Sequence, residues 1–498
     1  MSILWSLKKV SFKDTTDFPL NLHPLRLKEY NVKIMRTKNL LLLLLLLLML
    51  PVRLLAQQQQ TSQTKSVAFT HVTVIDMTGA PPRLNMTVVI TGDRISAIES
   101  TEKINVPKGT KIVKARGKFL IPGLWDMHVH LGKAGENTLP LFIANGVTSV
   151  RDMGGDYRQV LAWRKDILAG IKIGPRIKTA GPILESDKNV ARMKSEQTIE
   201  PVERTRIGIS NPQEAKEAVD FVANLGVDFV KVRTFASVET YLAIAEAARK
   251  VNLPLASHAS RLTIDNIIQA KVQSIEHSLF PPLDKLSTEQ RREIFKNFVA
   301  NNVTVVPTLI TGEGSLLISN DKIDAIVEDT RGLIDSRRKY LTGYLIDDWR
   351  EQAVERKEES DFDLRKFFSG LTRDLREMKQ AGVILMPGTD VAVVLIYPGF
   401  SLHDELRLFV TELGMTPMEA LLSATRIPAE FFKMQNSLGT IEVGKIADLV
   451  LLEANPLENI QNTRKIESVI SGGKLFLKPD LKIMMKKAEI YAKQHNKR

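Results

Sequence analysis

The chain has 498 residues, 44% hydrophobic and 25% charged, enough for one large folded domain plus a smaller one, since single cores rarely grow beyond about 250–300 residues. Half of its formal charge of +12 sits in residues 1–56, which hold nine Lys/Arg against three Asp/Glu. Cysteine is absent; that excludes disulfides, thiolate metal ligands, a cysteine nucleophile and a lipidated amino-terminal cysteine.

Leu40–Leu50 is an unbroken apolar run behind Lys33, Arg36 and Lys38, followed by PVRLLA and the polar Gln57–Gln60. A basic region, a short apolar core and a small residue before polar sequence predict a secretory signal. The apolar core is shorter than the roughly 20 residues of a membrane span. Cleavage is expected after Ala56, although Leu54 is a less usual residue at its position. The 34 residues before Met35 look unlike a leader, so translation is expected to start at Met35. The alternative is an uncleaved anchor. After cleavage the protein is expected to be periplasmic or extracellular, without stable membrane insertion.

From Lys65 to about Leu120 the pattern is short and β-like: SVAFTHVTVIDMTG alternates, NMTVVITGDRISAIES folds around Gly92–Asp93, and GTKIVKARGKFLIPG follows. The style resumes after Ser437 in GTIEVGKIADLVLLEANP and IESVISGGKLFL. One small β-sandwich built from both ends, 65–121 plus 437–478, is predicted. The middle, 122–436, alternates apolar strands with amphipathic helices such as NPQEAKEAVDFVANLG and SVETYLAIAEAARKVN. Eight strands are marked there: 124–130, 148–153, 176–181, 229–234, 254–259, 274–278, 304–309 and 383–390. Eight strands with helices outside predict an α/β fold, a (β/α)8 TIM barrel. The charged, helical stretch 311–375 is an insertion expected over the strand ends. The basic tail 479–498 is expected to be a solvated helix, and no nucleic-acid partner is predicted.

Polar residues at the strand ends carry the chemistry. His128 and His130 lie two apart on a strand and share a face. Lys231 stands between Val230 and Val232, a position that costs several kcal/mol for an unpaired ammonium. His258, His277 and Asp390 end the fifth, sixth and eighth strands. Barrel enzymes place their reacting groups at this rim, and four of the chain's eight histidines are spent there. Taken singly, HxH is a weak signal, a buried histidine is usually a core residue, and Asp390 reads equally as a helix cap. Together the six point to a metal centre with nitrogen and oxygen ligands.

At these residues the sequence resembles the amidohydrolase superfamily, in the branch of imidazolonepropionase-related proteins and metal-dependent prolidases. The motifs are FLIPGLWDMHVHLG (119–132), NGVTSVRDMGG (145–155), GVDFVKVR (226–233), LPLASHAS (253–260), VQSIEHS (272–278), MPGTDVAV (386–393), 401–432 and SLGTIEVGKIADLVLLEANPLENI (437–460). The resemblance implies two divalent cations, with zinc the expected metal. His128, His130 and Asp390 would hold one and His258 and His277 the other, bridged by Lys231 carboxylated by carbon dioxide to a carbamate. It also implies that Asp390 serves as general base and then acid toward the leaving nitrogen. Ser260 departs from the branch, where many relatives have a second histidine, which bears on specificity.

His403 reads equally as a pocket residue or a surface histidine at a helix start. Arg151 and Asp152 read as a structural ion pair. Arg233 reads either as a partner for a substrate carboxylate or as a partner for a barrel carboxylate. None of these four is placed in the catalytic set. The expected activity is hydrolysis of an amide C–N bond in a dipeptide, a peptide carboxyl terminus or a cyclic amide, on a small-molecule or short-peptide substrate. The alternatives are an ester, lactone or phosphotriester hydrolase and a non-catalytic binding protein; a homo-oligomer is left open. Amino-terminal sequencing of the exported protein should begin at Gln57, and a start before residue 40 would show that the signal is not cleaved there.

Overall fold

The structure, a computed structural model, describes residues 66–196, 201–259, 261–277, 283, 285–313, 318–358 and 364–496. The expectations for Met35, Ala56, Ser260, Lys497 and Arg498 fall outside these residues.

Strands from both ends of the chain join one hydrogen-bonded sheet. They are β1 (Ser66–Val74), β2 (Arg83–Thr91), β3 (Arg94–Ser100), β4 (Lys111–Lys114) and β5 (Phe119–Pro122). Most of the middle follows as β6 (Leu124–Val129), β7 (Val147–Asp152), β8 (Arg176–Thr179), β9 (Ile183–Ser186), β10 (Arg206–Ile209), β11 (Val230–Val232), β12 (Leu255–Ser257), β13 (Ser274–Glu276), β14 (Thr304–Val306) and β15 (Ile384–Leu385). The end adds β16 (Leu449–Leu452), β17 (Ile466–Ser471) and β18 (Lys474–Leu477). The terminal sheet runs β18-β17-β16-β5-β1-β2-β3, with β4 beside β1. Its β-branched and aliphatic side chains, among them Val72, Val74, Val88, Leu120, Leu449 and Leu451, form one apolar cluster. The two-sheet sandwich expected from the sequence is, in its hydrogen bonding, this single eight-stranded sheet.

Every strand of the middle is parallel, and β6 and β7 are buried along their whole length. That is the mark of a sheet covered on both faces. Helices between them begin where the sequence offers a cap: Asn211 accepts from the amides of Gln213 and Glu214, and Ser237 from that of Thr240. Hydrogen bonding divides these strands into β6-β7-β8 and β10-β9-β11-β12-β13-β14-β15. The eight expected strands are present but short, and β9 and β10 were not anticipated. Between β8 and β9 stands Gly181 at φ +70°, where a Cβ would press on Val227. The ladder does not close as a ring of eight. Two-residue β15 joins no ladder with β6, and single contacts cross that gap, among them the Met127 amide to Pro387 O at 2.9 Å, the Asp390 amide to His128 O at 2.7 Å, the His130 amide to Val391 O at 2.9 Å and a Val129–Val391 bridge.

Within 311–375 lie the helices Asn320–Val327 and Tyr344–Glu358 and the start of Leu364–Ala381. Ile323, Leu345, Trp349 and Ala353 pack there against Val394, Leu395 and Tyr397. The tail differs from the solvated helix expected. Lys478–His495 buries Leu481 and Met484 against Ile143, Val469 and Phe476, because its apolar residues recur at helical spacing beneath the lysines.

One buried acid ties the helix Ser401–Thr411 to the strand ends. Glu405 accepts from the Leu309 amide at 3.0 Å and the Ile310 amide at 2.7 Å. Burial pushes its carboxyl up to about 8 from an ordinary 4.5, against the pull of those two amides. The fold therefore binds this proton more tightly than the unfolded chain does. The stability it adds is complete below pH 4.5 and lost as pH rises toward 8. Glu405→Gln should remove this dependence, so that its melting temperature declines less between about pH 5 and 8 than that of the wild type. Parallel curves would show that Glu405 is already ionised in the fold.

Candidate metal centre

The end of β6 delivers two imidazoles whose second nitrogens are already committed. His128 Nδ1 is 2.8 Å from Glu276 Oε2, and His130 Nδ1 is 2.7 Å from Gly154 O. Carbonyl and carboxylate oxygens only accept, so each Nδ1 carries the hydrogen and each Nε2 keeps its lone pair. The two Nε2 atoms meet Asp390 Oδ1 at 3.5 and 3.4 Å. Burial holds His128 well below the usual imidazole range and His130 down at about 3, so both rings are neutral. His128 Nε2 is buried without a hydrogen-bond partner. Among the described residues, His128, His130 and Asp390 are the one group of three whose ligand atoms lie within 4.8 Å of one another.

Asp390 stands in the left-handed region at φ 56°, as do His277 at 59° and Thr308 at 48°. Such residues cost of order 1–3 kcal/mol each and persist only where the surroundings enforce them. For Asp390 the enforcement comes from Asp126, which accepts from the Thr389 amide at 3.0 Å and the Thr389 hydroxyl at 2.7 Å. Gly388 is a further requirement, since a Cβ there would lie 2.9 Å from His128 N. Burial pushes the Asp390 carboxyl up to about 6, opposed by the nearby Lys231 charge.

The other three residues face the same cavity of about 350 Å³. Lys231 is 2% exposed in the all-buried β11, and its Nζ has no hydrogen-bond partner. Burial draws it down to about 8, with Glu276 opposing. The His277 ring lies 4.4 Å from that of His128 and 4.8 Å from that of His258, centre to centre. Its Nδ1 meets Thr308 Oγ1 at 2.9 Å and lies 3.8 Å from Asp390 Oδ2. His258 and His277 are both held neutral by burial. The six residues thus share one site, three as a compact ligand group and three around the adjoining space. Unpartnered His128 Nε2 and Lys231 Nζ, buried beside a carboxylate, fit a divalent cation with nitrogen and oxygen donors.

Two supporting carboxylates, Asp126 and Glu276, were not singled out from sequence. Glu276 takes both Arg151 Nη2 contacts, at 2.8 and 2.7 Å, and the Ser274 hydroxyl at 2.5 Å, besides His128. Arg151 therefore pairs with Glu276 and not with Asp152, which accepts from the Leu131 amide and Thr179. A glutamate in the apolar strand SIEHS is as anomalous as Lys231 in its own, and that signal was available. His403 is neither a pocket nor a surface residue; it is buried between Thr463 Oγ1 at 2.9 Å and Asn145 O at 3.0 Å. Arg233 lines the cavity and reaches Glu185 at 3.4 Å.

Glu276→Gln should weaken metal affinity roughly ten- to a hundredfold in a chelator-competition titration, because His128 loses the acceptor that aims it. It should also destabilise the fold by about 3–5 kcal/mol, since the Arg151 guanidinium is left without its carboxylate. Wild-type affinity in a folded variant would show that Glu276 does not orient His128.

The profile of the amidohydrolase family matches residues 119–476. Ochratoxinase from Aspergillus niger is 26% identical over 462 residues, covering 80% of this chain and 84% of the relative. Imidazolonepropionase from Alkaliphilus metalliredigens is 24% identical over 422 residues, covering 78% and 89%. Among solved structures, a Xaa-Pro dipeptidase with bound methionine in the active site superposes with a TM-score of 0.64 at 23% identity, covering 83% of this chain and 100% of that one. The A. niger ochratoxinase structure gives 0.63 at 22%, covering 84% and 97%. With a matched span that takes in β5 through β17 and every residue of the candidate centre, the chain belongs to the amidohydrolase family.

Proposed function

We propose that this protein hydrolyses an amide C–N bond of a small, peptide-like substrate, with its two parallel sheets acting as one (β/α)8 barrel and its exported form working outside the cytoplasm. The observation that carries the proposal is the pair of histidine Nε2 atoms converging on Asp390 Oδ1, next to a buried lysine nitrogen with no partner. Family membership and relatives named ochratoxinase, imidazolonepropionase and Xaa-Pro dipeptidase support the amide bond as the target.

His128, His130 and Asp390 would hold one cation, and His258 and His277 a second. Lys231 would join the two as a carbamate, formed when its neutral Nζ bonds to the carbon of carbon dioxide and releases a proton to water. Zinc fits this donor set. Such cations, when bound, acidify water and polarise a carbonyl oxygen.

The chain's own groups do the rest. Glu276 and Gly154 O keep the first two imidazoles aimed and in one tautomer. Asp390 takes the proton from the attacking water as its oxygen bonds to the carbonyl carbon. It then gives that proton to the leaving nitrogen as the C–N bond breaks. The cavity of about 350 Å³ suits a dipeptide-sized substrate better than a folded protein.

A panel of Xaa-Pro and other dipeptides, N-acyl amino acids and lactones tests this; turnover of lactones alone would replace the amide assignment by an ester one. Lys231→Ala should lose more than about a hundredfold in activity, unrestored by bicarbonate and partly restored by a short carboxylic acid in the assay. Wild-type rates in that variant would remove the carbamate.

A further inference from the structure

We infer that Gln352, on the inserted Tyr344–Glu358 helix, is a positioning residue that holds the Asp390 loop in its working conformation; the inference rests on the proposed hydrolysis in taking Asp390 as the proton carrier.

The loop after Asp390 has little regular structure to hold it. β15 ends at Leu385, and beyond it the backbone is held by the bridges Val129–Val391 and Val391–Val393 and by single hydrogen bonds, among them the His130 amide to Val391 O and the Val393 amide to Asp390 O, both at 2.9 Å. Yet Asp390 has φ 56°, Ala392 152° and Leu395 65°, all in the region that L side chains avoid. Conformations of that kind last only where neighbouring groups over-determine them. Asp126 supplies the constraint on the near side, through Thr389.

Gln352 supplies it on the far side. Its Nε2 donates to Ala392 O at 2.9 Å, and its Oε1 accepts from the Val394 amide at 2.9 Å, so one side chain grips the loop by a carbonyl and an amide. The same Nε2 donates to Asp348 Oδ2 at 2.8 Å, one helical turn earlier. Asp348 Oδ1 in turn accepts from Lys133 Nζ at 3.0 Å, three residues beyond His130. A side-chain bridge thus runs from the segment behind His130, across the inserted helix, to the segment behind Asp390. Beneath it, Leu345 and Trp349 pack in one cluster with Val394, Leu395 and Tyr397, so the helix and the loop share an apolar core. Gln352 and Asp348 also line the cavity. The insertion is therefore part of what aims the proton carrier, besides being a wall.

Two variants of the full chain test this. Gln352→Met keeps length and bulk without hydrogen bonds; Gln352→Glu keeps an acceptor for Val394 but loses both donations and sets a carboxylate against Asp348. The measurements are hydrogen–deuterium exchange at 391–396, zinc affinity by chelator competition, melting temperature, and kcat and KM on the dipeptide that the wild type cleaves best. Both variants should exchange faster at 391–396. Their kcat should fall about ten- to a hundredfold, as expected when a reacting group is misplaced by a fraction of an ångström, with KM within about threefold of the wild type. Should the methionine variant fail to fold, the glutamate variant is judged by the same criteria. Unchanged exchange overturns the inference. So does faster exchange with wild-type kcat and zinc affinity, the outcome of a merely structural role. If the wild type cleaves no dipeptide, the proposed hydrolysis fails on its own, while exchange and zinc affinity still decide whether Gln352 holds the loop.

Discussion

Glu276 carries a carboxylate into the centre of the protein, and the candidate site depends on how that charge is matched. An unpaired carboxylate there would cost many kcal/mol. Its oxygens are instead occupied by Arg151, Ser274 and His128, all buried. Arg151 also donates its Nε to Met127 O at 2.6 Å. These partners come from β6, β7 and β13, and so from both parallel sheets. Where the strand ladder between the sheets is incomplete, a charged network joins them. A well-packed apolar substitute could be as stable, but it could not fix the His128 tautomer. The same contacts that hold the sheets together therefore decide which nitrogen faces the site.

The strand ends show a related compromise. His277, Thr308 and Asp390 each adopt a conformation that an isolated chain would avoid. His277, directly after β13, and Asp390 thereby line the cavity. Thr308 then serves its neighbour, holding His277 Nδ1. At β13 the ladder stops where this turn begins, since His277 at positive φ cannot continue the strand. The three-residue lengths of β13 and β14, each followed by such a residue, are part of how the rim is built.

Much of this was legible before any coordinates. The period-two spacing of His128 and His130 and the lysine inside VKV marked residues that the structure places in one site, His130 and Lys231 lining its cavity and His128 beside Asp390. The supporting layer was harder. Asp126 shares the face of His128 by the same period, yet its partner Thr389 lies 263 residues away, and no local pattern announces that pairing. Arg151 and Asp152 are adjacent in sequence and so suggest each other, but neighbours on a strand point to opposite faces. That rule alone argued against the pair. The strands β9 and β10 were missed because each is four residues long, with a charged residue in place of clean alternation. His403 opens an amphipathic helix, and only the fold reveals that Asn145 and Thr463 close over it.

The terminal sheet acquires a purpose from the same geometry. β5 runs into β6 with Gly123 alone between them, where any side chain would overlap the Thr148 hydroxyl. β5 in turn pairs residue for residue with β16, Val450 opposite Ile121 and Leu449 opposite Pro122. The Gly123 amide is then bound by Asp448 O at 2.8 Å. The register of the strand that carries His128 and His130 is thus set by a pairing between two segments more than 300 residues apart. A slip of one residue would swing both imidazoles to the opposite face, away from Asp390. A sheet that gathers the two ends of the chain fixes, at the start of β6, which side chains arrive at its end.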